Sequence, residues 1–259
     1  MSAFNHRGGK SLPVDGAKIY YESCGTQNRP PLLLLHGGFG NMEDFNKLLP
    51  SLSRDFTVIG IDSRGHGKST LGPRTLTYEQ LQADVCRVLD HLSIETASII
   101  GFSDGGVVAY RLASKMPRRV DKLVAIGASC RLTDATRQIL AKVTAESWKA
   151  KFPATYDAYQ KHNPEPDFDA FSRSTVEMWL DPETSGYPNE RVRAIACPVL
   201  IVRGDDDHLF SLAEAVELRG MIAASKLLNI PSAGHVAFDD QESICSIAIR
   251  QFLSPDTTI

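Results

Sequence analysis

Ala97-Ser98-Ile99-Ile100-Gly101-Phe102-Ser103-Asp104-Gly105-Gly106-Val107-Val108-Ala109-Tyr110 is the stretch whose reading decides the fold. It passes from an apolar run, Ala97–Gly101, through a serine flanked by glycines, into a helix expected over Val107–Met116 that stops before Pro117. A run without polar alternation is the mark of a strand covered on both faces. Side chains at Gly101 and Gly105 would collide with neighbouring backbone in so tight a turn, hence the glycines. Strand, sharp turn and helix together lift the Ser103 hydroxyl above the end of a sheet, in strained backbone.

The same grammar extends outward in both directions. Leu32–Leu35, Thr57–Ile61, Leu123–Ile126, Val199–Val202 and Leu227–Ile230 are further short apolar strands. Lys10–Val14 and Ala17–Cys24 add an N-terminal pair joined at Asp15-Gly16, a hairpin dipeptide. Tyr78–Leu92 places Leu81, Val85, Val88, Leu89 and Leu92 on one helical stripe, and Leu212–Ala223 and Glu242–Leu253 close the chain as helices. Strands alternating with helices predict an α/β fold, a mostly parallel eight-stranded sheet flanked by helices. One interruption stands out. Residues 131–193 hold no convincing strand, but helical stretches broken by prolines and rich in Trp148, Phe152, Tyr156, Tyr159, Phe168, Phe171 and Trp179. A structureless loop of that length does not fit a compact domain. The expectation is a helical cap over residues 131–193, inserted into a core made of residues 1–130 and 194–259.

At 259 residues the chain suits one large domain, and a formal net charge of -3 marks no nucleic-acid binder. Five scattered cysteines without a CxxC pair, an N-terminus without an apolar run and the lack of any membrane-length apolar segment point to a cytoplasmic protein. The expected partner is a small molecule, not a nucleic acid or a membrane, with the chain a monomer or a homodimer.

A serine hydroxyl becomes a nucleophile only when a base takes its proton. Of seven histidines, His235 follows the last short strand in Pro231-Ser232-Ala233-Gly234-His235 and is the candidate base. His36 and His66 sit in glycine-rich turns and read as structural; His6, His91 and His162 lack supporting context; His208 reads as surface or pocket lining. A base of this kind needs a carboxylate to hold its tautomer. Asp205-Asp206-Asp207, on the loop leaving Val199–Val202, offers three. His36-Gly37-Gly38-Phe39-Gly40 leaves another buried strand as a loop whose amides can approach a substrate closely. With no G-x-x-x-x-G-K-[ST] pattern following, it reads as half of an oxyanion hole and not as a phosphate cradle. The assigned donors are the backbone N–H groups of Gly38 and Asp104. Phe39, Phe102 and Asp104, beside these groups in sequence, are the expected substrate contacts.

His36-Gly37-Gly38, Asp62-x-Arg64-Gly65-His66-Gly67-x-Ser69, the turn around Ser103, Gly204-x-x-Asp207 and Gly234-His235 resemble the motifs of α/β-hydrolase-fold enzymes along nearly the whole chain. The resemblance implies the order nucleophile, acid, base, and by the family's spacing it selects Asp207 as the acid; Asp62 and the Arg64–Ser69 turn are structural there. A serine at the elbow argues against dehalogenase and epoxide hydrolase chemistry, which use aspartate. Gly101-Phe102-Ser103-Asp104-Gly105-Gly106 is also similar to the elbow of the valacyclovir hydrolase (biphenyl hydrolase-like) group. By that resemblance Asp104 would contact the ammonium of an α-amino-acid ester. On physical grounds alone, a carboxylate in a first helical turn is favoured by the helix dipole.

These readings converge on a serine hydrolase that cleaves a small carboxylic ester, thioester or amide through an acyl-enzyme, an amino-acid ester included, without metal or organic cofactor. Two alternatives stay open: carbon–carbon bond or lactone hydrolysis by the same triad, and a ligand receptor that keeps the triad with negligible turnover.

Overall fold

The computed structural model describes residues 3–254. Eight strands form one sheet: β1 (Lys10–Val14), β2 (Ala17–Gly25), β3 (Pro31–Leu35), β4 (Thr57–Ile61), β5 (Ala97–Phe102), β6 (Val120–Ile126), β7 (Val199–Gly204) and β8 (Ser225–Ile230). They lie in the order β1-β2-β4-β3-β5-β6-β7-β8. The first two pairings, β1 with β2 and β2 with β4, are antiparallel, and every pairing from β4 onward is parallel.

The continuous apolar runs are explained by two cores, one on each face. Along a strand, successive side chains point to opposite faces. Leu33 and Leu35 of β3, with Ile59, Ile99, Leu123 and Ile201, join the core beneath α2 (Tyr78–His91), α3 (Asp104–Lys115) and α8 (Leu212–Met221). Leu32 and Leu34, with Val58, Ile100, Val124 and Leu200, face the core that includes Phe45, Leu49, Phe238, Ile249 and Phe252. Phe45 lies in the short turn Met42–Phe45, Leu49 in α1 (Leu49–Leu52), and the last three in α9 (Ala237–Asp240) and α10 (Glu242–Leu253).

Between β6 and β7 run α4 (Asp134–Leu140), α5 (Ala145–Lys151), α6 (Pro153–His162) and α7 (Phe168–Trp179), with no strand among them. This segment is fastened to the sheet side by buried polar anchors. Asn163 Nδ2 donates to the carbonyls of Gly65 and Ser69 at 3.2 and 2.9 Å, and Arg111 of α3 donates to those of Thr184 and Gly186. Phe39 enters it from below, packed against Trp148, Phe168, Phe171 and Trp179 with ring centroids 4.3 to 5.5 Å apart.

The elements differ from the sequence expectation mainly at their ends. Helix α3 starts at Asp104, directly after the serine, where Val107 was expected, and α8 stops at Met221 because Ile222 turns to extended backbone. Among the described residues no helix is long and apolar enough to cross a membrane, and all five cysteines are free.

Candidate active site

The sheet reverses its winding between β3 and β5: β3 is followed by β4 on one side, and the chain then crosses back to place β5 on the other. Open α/β sheets leave a crevice at the carboxyl ends of such strands. Leu35 of β3 pairs with Gly101 of β5, so the segments starting at His36 and Ser103 leave the sheet from neighbouring strands.

Ser103 follows β5 with φ 49° and ψ -114°, a left-handed conformation that a side chain adopts only under constraint. The constraint is visible in the flanking glycines. A Cβ on Gly101 would overlap the carbonyl of Gly105, and one on Gly105 would overlap that of Leu35. Helix α3 is thus pressed onto the end of β3, with the serine at its N-terminus.

The histidine and the acid arrive from β8 and β7. His235 Nε2 lies 3.1 Å from Ser103 Oγ, while its Nδ1 faces both carboxylate oxygens of Asp207 at 3.0 Å. The geometry suits an imidazole that donates from Nδ1 to Asp207 and accepts the serine proton at Nε2. Asp207 Oδ1 also accepts from the amides of Leu209 and Phe210 at 2.9 and 3.1 Å. Burial alone would raise the Asp207 carboxyl, but the hydrogen bond and charge of His235, with these amides, hold it below its ordinary range. Asp205 and Asp206 are exposed; their amides tie the loop to the carbonyls of Ile230 and Ala233.

The remaining sequence candidates fall around this centre. Phe102 is buried with its ring 5.1 Å from that of His235, and His208 is exposed, its ring 6.2 Å from the same imidazole. His36 accepts from the Ser63 amide at Nε2, and His66 contacts the Arg64 carbonyl; burial lowers both, His66 to about 3, so both are neutral structural groups near pH 7. Gly38 lies beside the elbow, where a Cβ would meet Trp179 and an oxygen of Asp104. Among the described residues, the N–H groups of Gly38 and Asp104 have no hydrogen-bond acceptor.

The Asp104 side chain is enclosed. Its oxygens accept from Trp179 Nε1 at 2.8 and 2.9 Å and from Tyr78 OH at 2.7 Å. Burial raises its carboxyl above the ordinary value although these two donors pull the other way. Neither Tyr78 nor Trp179 carried a signal for this contact, because α2 and α7 lie far from Asp104 along the chain. Gly127 is another residue that sequence reasoning passed over. It has φ +58°, and a Cβ there would come within 3.1 Å of the His235 ring.

The alpha/beta hydrolase fold family model matches residues 30–197. The chain belongs to that family. This α/β hydrolase is similar to human serine hydrolase BPHL, 28% identical over 237 residues that cover 86% of this chain and 79% of the relative. It is also similar to esterase YbfF of Escherichia coli, 26% identical over 242 residues, 88% of this chain and 94% of the relative. Among solved structures, a hydrolase from Pseudomonas aeruginosa superposes with a TM-score of 0.79 at 23% identity, covering 96% of this chain and all of that one. An enol-lactonase from Burkholderia xenovorans superposes at 0.77 with 21% identity, covering 94% and 99%. At such identities the superpositions speak for the fold. The family membership makes the chain a hydrolase.

Proposed function

We propose that this hydrolase cleaves small carboxylic esters through an acyl-enzyme formed on Ser103. The observation carrying this reading is the unbroken line from Ser103 Oγ to His235 Nε2 at 3.1 Å and from Nδ1 to Asp207 at 3.0 Å. His235 takes the hydroxyl proton as Ser103 Oγ bonds to the ester carbonyl carbon, and Asp207 stabilises the imidazolium. The amides of Gly38 and Asp104 donate to the oxyanion of the tetrahedral intermediate. His235 then gives its proton to the leaving alkoxide as the ester C–O bond breaks. Water attacks the acyl group by the same route, its proton passing to His235 and on to Ser103, which releases the acid. Losing one oxyanion donor typically lowers turnover by about 10²–10³.

In this reading residues 131–193 are a cap over the carboxyl edge of the sheet, and Phe102, with Phe39 under the cap, borders the acyl side. Asp104 has two duties. Its amide serves the oxyanion, and its carboxylate anchors Trp179. The similarity to serine hydrolase BPHL supports a serine nucleophile, and that to esterase YbfF supports the esterase class.

The test is steady-state turnover on a panel of esters, thioesters and amides, together with fluorophosphonate labelling. Ser103→Ala is expected to abolish labelling and to cut ester turnover by about 10⁴ or more, with the circular dichroism spectrum unchanged. Full turnover in that variant overturns the proposal.

A further inference from the structure

Outside the triad, His6, Glu43 and His162 bring three donor atoms within 4.8 Å of one another. They come from three separate segments: the stretch before β1, the turn Met42–Phe45, and the last residue of α6. His6 Nδ1 lies 2.7 Å from Glu43 Oε1, and His162 Nε2 lies 4.0 Å from the same oxygen. The two imidazoles are inclined by 28° with centroids 4.2 Å apart.

Two features mark this as more than a packed polar cluster. The first is how His6 is held. Its Nε2 lies 2.8 Å from Asp62 Oδ2, and Asp62 is fully buried and also accepts from the amides of Met42 and Lys68. With Nε2–H given to Asp62, the Nδ1 lone pair points at a second carboxylate, and two acceptors at that distance need a cation between them. A carboxylate behind the far nitrogen is how metal-binding histidines are oriented. The second is His162. Its side chain is 10% exposed and, among the described residues, has no protein hydrogen-bond partner, yet its Nε2 is turned toward the same Glu43 oxygen. A proton shared by His6 and Glu43 would satisfy those two residues and leave His162 held only by the stacking of its ring on His6.

We propose that His6, Glu43 and His162 form a binding site for a divalent transition metal ion of the zinc type. Two imidazole nitrogens and one carboxylate oxygen are a donor set that suits zinc and its neighbours. Around a tetrahedral ion with bonds of about 2.0–2.1 Å, donors lie roughly 3.3–3.4 Å apart. Glu43 would ease away from His6, and His162 would close in and turn its ring out of the stack on His6, so that both in-plane lone pairs meet at one ion. A water molecule would complete the coordination. Because His162 ends α6 while His6 and Glu43 belong to the sheet side, the ion would tie the helical segment to the core.

The experiment is calorimetric titration of the EDTA-treated full chain with zinc chloride, and visible spectroscopy with cobalt(II). The wild type is expected to bind one equivalent of zinc and to show the intense bands of four-coordinate cobalt. His162→Ala and Glu43→Gln should each weaken zinc binding by at least about tenfold and lose the cobalt bands while keeping the wild-type circular dichroism spectrum. His208→Ala, run alongside, removes an exposed imidazole outside the cluster and should bind as the wild type does. No zinc binding by the wild type, undiminished binding by both ligand variants, or loss confined to His208→Ala overturns the proposal.

Discussion

Asp104 shows how one residue can be read two ways until its surroundings are known. Beside the nucleophile, an acid suits both a helix N-terminus and a cation in a substrate. In the folded chain both of its oxygens already accept from an indole N–H, and one from a phenol as well. Oδ2 keeps a free lone pair, but the carboxylate is buried, so a substrate ammonium would have to push a neighbour aside to reach it. Asp104→Ala is therefore expected to lower kcat/KM by a similar factor for amino-acid esters and for neutral esters of equal size. A loss concentrated on the amino-acid esters would assign the cation-reading role instead.

At the scale of elements, the elbow depends on how closely α3 can approach β3. Gly105→Ala would drive a methyl into the Leu35 carbonyl, and neither the central strand nor the helix has room to retreat. The expected cost is about 3 kcal/mol or more in denaturant unfolding, at the upper end of what overpacking causes. Gly220, in α8, has nothing within 4 Å of its would-be Cβ, so Gly220→Ala should stabilise by about 0.5–1 kcal/mol. The central strands β3, β4, β5 and β7 were legible because both faces of each are buried, which leaves no polar alternation to blur the run. Helices α1 and α9, four residues each, are too short for a periodic signal and were not foreseen. Within the site, Ser103 and His235 stood out through the glycines and strand ends around them, whereas the choice of Asp207 among three adjacent aspartates came from the family resemblance. Gly127, Trp179, Tyr78 and the His6 cluster did not, because each matters only through a residue brought close by the fold.

Across the whole molecule, the carboxylate of Asp207 links the site to acid stability. Its folded value lies below the ordinary 3.8, so ionised Asp207 contributes stability that is present above that value and is lost as pH falls through the folded one. Asp207→Asn removes that contribution. The stability gap between wild type and Asp207→Asn is expected to be widest near neutral pH and to close as pH drops below about 4. Denaturant midpoints measured across this range check it, and a gap that widens on acidification would contradict the assignment.

The helical segment leaves the sheet after β6 and rejoins it at β7, whereas Ser103, Asp207 and His235 stand after β5, β7 and β8. None of the three side chains is carried by the inserted stretch. In the proposed reading, the reacting side chains thereby lie outside residues 131–193, and Trp179 is the point where that stretch touches them through Asp104. On that reading, drift within residues 131–193 away from Trp179 would remodel which molecules are admitted while Ser103, Asp207 and His235 stay as they are.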